Sequence, residues 1–343
     1  MKAAVIHGPR DIRLETVADP SVRGDEILLK VKSCGICGSD IHIYKMGAMS
    51  ASPDSRILGH EFSGEIVELG SDIEGLRVGD KVLGTGRRNC GRCHWCQRGQ
   101  THRCTNVGVP GYGLDGAFAE YVVVPNPVLG KTLFKIPEAL GWQEAATVEP
   151  VSVACHAVEA AKIQPNETVV ILGAGMIGQG VAQAAKAGGA ARVIVCEPSS
   201  KRLTMAKNLG ADIALNPKEI DPVKAVAEAT SREMADVAFE CSGVAAAFRQ
   251  AFSMVRAFGR VMQVAVFEKN VELEPDLMSL MTFRNLTLRG CAGQRWAIAL
   301  DLVRLGQVRT RDLITHEFTL NNAKEAFETQ LNSDEAIKVL IKP

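Results

Sequence analysis

Thr168–Gly178 reads TVVILGAGMIG: an apolar, partly β-branched run, then glycines at 173, 175 and 178 as a helical stretch begins. Small residues at those positions let a backbone come close to a pyrophosphate. The amino end of the following helix offers unpaired N–H groups and the positive end of its dipole to the phosphate charge. Strand before and helix after is the context that a bare G-x-G-x-x-G lacks. Working outward, ARVIVCEP, ADIALN, ADVAFECSG, RVMQVAV and NLTLRG repeat the short apolar strand, alternating with helical stretches such as SKRLTMAKNLG. That alternation predicts an α/β unit, a doubly wound parallel sheet with crossover helices, over residues 153–290.

Glu197 ends the second of these strands, nineteen residues beyond Gly178. A carboxylate there can accept hydrogen bonds from both ribose hydroxyls of NAD and repels a 2′-phosphate, although Lys201 and Arg202 one turn on keep NADP open. Residues 1–152 read differently. Gly, Pro and short β-type runs (EILLKVKS, GEIVELG, AEYVVVP) predict an irregular, mostly antiparallel β domain. Six strands fill the parallel sheet, so 291–343 are expected to return to the first domain, and the cleft between the two is the expected ligand site.

The β domain holds the metal-type residues. Cys90, Cys93, Cys96 and Cys104 fall in CGRCHWCQRGQTHRC, spaced to close a thiolate tetrahedron around a structural zinc. Upstream, CGICGSDIH (34–42) and GHE (59–61) supply ligand types for a second, open zinc. Cys37 and His60 are the expected ligands, with Glu149 in TVEP closing the set and Glu61 able to exchange in. A carboxylate that can leave makes room for a substrate oxygen. Cys34 competes with Cys37, and the following Gly-Ser-Asp favours Cys37. Asp40 is placed to hold a metal-bound imidazole through its second nitrogen. Ser39 can accept a proton from an alcohol and pass it to His42 and solvent. Cys155, Cys196, Cys241 and Cys291 sit in apolar segments and read as packing.

Composition narrows the classes. The 343 residues suit two domains. Lys+Arg and Asp+Glu both number 39, so no net basic field exists to hold nucleic acid or an anionic membrane. No apolar run reaches the length of a bilayer span, and MKAAVIHGPRDIRLE puts charges where a signal peptide needs an apolar core. A cytoplasmic location is expected, with the ten cysteines used as metal ligands and buried thiols.

Together CGICGSDIH, GHEFSGEIVELG, VGDKV, the cysteine quartet, DGAFAEYVVVP and GAGMIG resemble the zinc-containing medium-chain dehydrogenase/reductase family along the whole chain. The resemblance implies a chaperonin-10-like irregular β barrel joined to a Rossmann domain. It further implies two zinc ions per subunit, NAD, and hydride transfer between a small alcohol or ketone and the nicotinamide. Ile177, Glu197 and Arg202 are then expected at NAD, with the backbone of Val264 to Val266 at the carboxamide. A homo-oligomer is implied, a tetramer before a dimer. Glutamate at 149, where liver- and yeast-type alcohol dehydrogenases carry cysteine, is similar to the sorbitol and butanediol dehydrogenase branch, which oxidises secondary alcohols. CAGQRW (291–296) departs from the Arg-Tyr pair of sorbitol dehydrogenases. THRC and CGSDIHIY resemble L-threonine 3-dehydrogenase, an amino-alcohol alternative. In that enzyme a histidine near the active site matches Arg87, which lies in a basic, acid-free stretch (81–114) and belongs either to a solvated basic face or to a contact with an anionic group on a substrate. A zinc-bearing nucleic-acid-binding or structural protein is the rival from another class, against which the balanced charge and the glycine fingerprint both argue.

Overall fold

Apolar residues on both faces of a strand leave it nowhere to go but the middle of a layered sheet. Thr168–Leu172 is such a strand, buried from Val169 to Leu172. In the computed structural model, which describes residues 1–46 and 56–343, it sits inside a six-stranded sheet. The spatial order is Ile213–Leu215, Arg192–Cys196, Thr168–Leu172, Ala235–Glu240, Val255–Gln263, Thr287–Gly290, and every neighbouring pair is parallel. The chain begins centrally, winds to one edge, then returns past its start to the other. This is the doubly wound topology, and the strand order reverses between Thr168–Leu172 and Ala235–Glu240.

Alternate residues of each strand supply two separate cores. Val169, Ile171, Val193, Val195, Val237 and Phe239 pack with Val181 and Ala185 of helix Met176–Ala187. Val170, Leu172, Ile194, Ala238 and Val261 face the other way, against Val226, Phe248 and Phe252 of helices Pro222–Ala229 and Ala245–Met254. The side-chain period of two makes this division unavoidable once both faces are covered. The outer strand Thr287–Gly290 is exposed at every residue.

A second sheet runs in the order Ile314–Thr319, Lys338–Lys342, Glu26–Gly35, Glu61–Leu69, Lys81–Gly84, Leu133–Lys135, with Tyr121–Pro125 also paired to Glu26–Gly35. All its pairs are antiparallel except the first. Register shifts between Leu28 and Leu29 and between Val31 and Ser33 interrupt the ladder of the long central strand, and irregularities of this kind bend and twist a strand. Its core includes Ile27, Leu29, Phe62, Ile66, Val82, Phe118 and Phe327.

The two compact units are Met1–Glu149 with Ile314–Pro343, and Pro150–Leu313. Residues 291–313, expected with the β domain, thus lie in the parallel-sheet unit. The reason is local bonding. Arg295 N–H donates to Ser152 O at 3.0 Å, Arg309 N–H donates to Gln183 Oε1 at 2.8 Å, and helix Trp296–Arg304 buries Trp296, Ala299 and Val303. Only the strands from Ile314 onward and helix Ala323–Asn332 return. Among the described residues no helix is long and apolar enough to cross a membrane.

Candidate metal and nucleotide sites

Both metal-type clusters lie in the first unit. The ligand atoms of Cys90, Cys93, Cys96 and Cys104 all stand within 4.8 Å of one another. Cys90 Sγ and Cys104 Sγ are 3.5 Å apart, near the ~3.8 Å edge of a tetrahedron built on zinc–sulfur bonds of about 2.3 Å. A short helix, His94–Gln97, begins after Cys93, and the turn Thr101–Arg103 delivers Cys104. The Cys96 backbone N–H, helped by that of Thr105, lowers the Cys93 thiol to about 5. Cys104 is lowered by the Cys90 N–H, which donates to its sulfur at 3.3 Å. Burial pushes Cys96 the other way, to about 12. Cys93 and Cys104 are thus the thiols most inclined to ionise. His94 stands outside the quartet and pairs with Arg98, while the Arg103 guanidinium lies 4.8 Å from the Trp95 ring centre.

The second cluster is Cys37, His60 and Glu61, again with ligand atoms within 4.8 Å. Cys37 immediately precedes helix Gly38–Met46, and its N–H donates to Asp40 Oδ2 at 2.9 Å. Gly59 takes φ +98°, and a Cβ there would strike Cys34 Sγ at 2.8 Å and Phe118 N at 3.0 Å. Glycine is therefore required for the chain to turn His60 toward Cys37. Cys34 is fully buried behind that turn, and burial holds its thiol well above the usual range. It does not join the cluster, which draws Cys37 from the C-x-x-C pair.

Polar atoms around this cluster lack partners. Asp40 Oδ1 and His60 Nδ1 face each other at 3.6 Å, too far for a hydrogen bond, and both are buried without another. Ser39 Oγ is also buried. Burial disfavours a charged His60, yet the Asp40 carboxylate and Cys37 together hold its ionisation well above the ordinary value, the electrostatics of a site that attracts cations. One thiol, one imidazole and a carboxylate with orphaned atoms behind them are a donor set that fits zinc. His42 lies one turn beyond Ser39 on the same helix and is half-buried.

Glu61 is more constrained than its sequence context suggests. Its Oε2 accepts from Lys338 Nζ at 2.7 Å, and Lys338 also donates to Ile36 O at 2.9 Å. The pair is buried, 1% and 3% exposed. Burial disfavours the charged lysine, but Glu61, together with Cys37 and Glu149, more than reverses this and raises its pKa. Glu149, second residue of helix Val148–Ala161, is buried outside the three-residue cluster, near enough to act on Lys338 electrostatically. Arg87 is half-buried, and its N–H donates to Pro125 O at 2.9 Å. Its neighbour Arg88 pairs with the buried carboxylate of Glu26.

Two residues here are not singled out by the sequence. Lys338 interrupts the apolar end AIKVLIKP, where a lysine on a buried strand is a clue to a buried acid. Tyr112 sits in a turn without periodicity, and its ring centre is 5.0 Å from that of His60.

In the second unit the glycine loop has the shape its motif requires. Gly173 takes φ +97°, with Ser242 3.0 Å from where a Cβ would be. Gly175 caps helix Met176–Ala187, and a Cβ on Gly178 would land on Gly173 O. Ile177 packs against the core as the helix starts. Glu197 is buried: its Oε2 accepts from Ala174 N–H at 2.7 Å and its Oε1 from Ser199 N–H at 3.0 Å. It braces the loop, a task its position in the sequence does not reveal. Arg202 N–H donates to Ser199 Oγ at 3.4 Å, in the first turn of helix Ser200–Asn208. Beyond Gln263, Val264 N–H and Ala265 N–H both donate to Glu240 O, and Val266 is exposed. The fully buried Glu240 carboxylate accepts from Ser242 N–H at 2.8 Å, Gly243 N–H at 3.0 Å and Gln263 Nε2 at 2.9 Å.

Residues 23–138 match the family model described as alcohol dehydrogenase GroES-like domain, and 177–305 the model described as zinc-binding dehydrogenase. Sorbitol dehydrogenase of Bacillus subtilis (strain 168) is 34% identical, the alignment covering 100% of this chain and 97% of the relative. L-threonine 3-dehydrogenase of Pyrococcus horikoshii is 38% identical over 88% of this chain and 87% of its own. The crystal structure of 2R,3R-butanediol dehydrogenase from Bacillus subtilis superposes with a TM-score of 0.88 at 32% identity, covering 100% of this chain and 99% of that one. Matches of this length take in both the β unit with its two cysteine-bearing clusters and the doubly wound unit with its glycine loop, and the chain belongs to the zinc-dependent medium-chain dehydrogenase family.

Proposed function

We propose that the protein reversibly oxidises a secondary alcohol, that of a polyol, vicinal diol or other small hydroxy compound, to a ketone with NAD as hydride acceptor. One observation carries this reading: Cys37, His60 and Glu61 gather their ligand atoms within 4.8 Å of one another, and Ser39, two residues after Cys37, has a buried hydroxyl. Bound at Cys37 and His60, with Glu149 or Glu61 completing the set, zinc supplies Lewis acidity toward the alcohol oxygen, and the nicotinamide supplies the hydride acceptor. The remaining work falls to the protein. Asp40, whose Oδ1 faces Nδ1 at 3.6 Å, would draw close to orient the imidazole and leave Nε2 for the metal. Ser39 Oγ takes the alcohol proton, and His42 passes it toward solvent. Lys338 holds Glu61, which favours Glu149 as the completing carboxylate.

Gly173, Gly175 and Gly178 would admit the pyrophosphate, with Ile177, Arg202, Val264 and Val266 lining the dinucleotide. Glu197 at the strand end favours NAD over NADP. The quartet would hold a second, structural zinc. Self-association into a homo-oligomer, a tetramer before a dimer, is supported by the open edge Thr287–Gly290, beside which Leu288 is 39% and Phe283 84% exposed. We place the protein in the cytoplasm, and its balanced charge argues against nucleic acid or an anionic membrane as partner.

NAD reduction with butane-2,3-diol, sorbitol and L-threonine, with zinc counted per chain, tests the reading; turnover by Cys37→Ala at the parent rate would sink it. The 38% identity to a threonine dehydrogenase favours a second reading, oxidation of an amino alcohol, and the same panel separates the two. Arg87 is assigned to an anionic substrate group, so Arg87→Ala should lower kcat/KM for anionic alcohols only.

A further inference from the structure

The turn around Gly111 reaches the Cys37–His60 cluster from outside both motifs. Val109 and Tyr112 exchange N–H···O bonds of 2.7 Å, and Gly111 N–H donates to Leu114 O at 2.9 Å. Gly111 takes φ +81°, and a Cβ there would lie 2.9 Å from the carbonyl of Gly59. The turn is thereby pressed against the residue before His60. As a result the half-buried Tyr112 ring stands 5.0 Å from the His60 ring, tilted by 54°. Its phenol meets the buried Ser39 hydroxyl. A tyrosine phenol is an O–H donor.

We infer that Tyr112 is a specificity-determining residue: its hydroxyl donates a hydrogen bond to a second hydroxyl on the carbon beside the one oxidised, selecting vicinal diols and polyols over simple secondary alcohols. The inference rests on the reading of the site as one for secondary alcohols. An alcohol that gives its proton to Ser39 must stand beside Ser39 Oγ, and the phenol next to that oxygen meets the substrate one carbon further along. A diol presents an acceptor there. A monoalcohol presents a methylene or methyl, leaving the phenol to water. Because Tyr112 is half-buried, water compensates in part, so the discrimination is about tenfold rather than the several thousandfold of a sealed site.

Tyr112→Phe keeps the ring on His60 and removes only the donor. In the zinc-loaded enzyme with NAD, kcat/KM for butane-2,3-diol should fall about tenfold, mainly through KM, while that for 2-butanol stays within twofold. Calorimetry on the zinc-loaded protein should give a diol affinity weaker by a similar factor. Tyr112→His, which restores a ring donor, should recover part of the diol preference, and it serves if the phenylalanine variant folds poorly. Equal losses on both alcohols, or no loss on the diol, overturn the inference. If the parent protein oxidises neither alcohol, the proposed reaction fails separately; calorimetry then decides, and equal diol affinity in parent and variant, or none in either, overturns the role of Tyr112.

Discussion

Replacing Lys338 with methionine keeps most of the volume and removes the charge from a pair that is nearly sealed from water. Glu61 then loses its 2.7 Å ion-pair partner, and Ile36 O loses a 2.9 Å donor. Removing one member of a buried pair costs about 3–5 kcal/mol because the surviving charge is left uncompensated. Taking about 4 kcal/mol, amides of Glu61–Leu69 and Lys338–Lys342 should exchange roughly a thousandfold faster wherever exchange requires unfolding of that unit. Amides of Thr168–Leu172, in the other unit, serve as the internal control and should barely change. Glu61→Gln combined with Lys338→Met should recover most of the loss, since no charge is then stranded.

The pH dependence has a definite sign. Lys338 is held above its usual 10.5, so its contribution is complete below that value and fades as pH rises through its higher folded value. In urea titrations the gap between parent and Lys338→Met should stay constant from neutral pH to about 10.5 and close beyond it. A loss below about 1 kcal/mol in the single variant, or no recovery in the double, would refute the claim that this pair organises the strand junction behind the metal cluster.

Three further outcomes follow from the same coordinates. Chelation should open the lobe around Cys90–Cys104 to protease, because metal binding in small cysteine modules contributes on the order of 10 kcal/mol; Cys37→Ser should leave that lobe protected, and equal cleavage in both would count against two separate sites. Gly178→Ala puts a Cβ onto Gly173 O and should weaken NADH binding at least tenfold by fluorescence titration, with the melting of the first unit unchanged. Leu288→Lys adds charge to the open edge strand and should reduce the assembly seen in sedimentation; an unchanged mass would place the contact elsewhere.

What the sequence made legible was local. The cysteine quartet spans fifteen residues, Cys37, Ser39 and His42 ride on one short helix and the turn before it, and the glycine motif lies between a strand and the helix it starts. In each case a few consecutive residues set the geometry, so spacing carried the information. Boundaries were less visible: 291–313 look like a departure from the sheet, yet backbone bonds to Ser152 and a side chain at Gln183 hold them there. Side-chain direction was hidden in the same way. Nothing near Glu197 announces that it accepts from Ala174 N–H, twenty-three positions earlier.

The partner of Glu61 illustrates the limit most clearly. Lys338 lies 277 positions away and meets it because the last strand pairs antiparallel with Glu26–Gly35, which pairs in turn with Glu61–Leu69. Gly35 leaves space for that carboxylate, since a Cβ at 35 would overlap Glu61 Oε2. A glycine, a glutamate and a lysine from three strands therefore form one polar unit, although the sequence singles out only the glutamate as a candidate site residue. The sequence does show a lysine within an apolar run. Only the sheet order says which acid answers it: Glu61, the carboxylate next to His60.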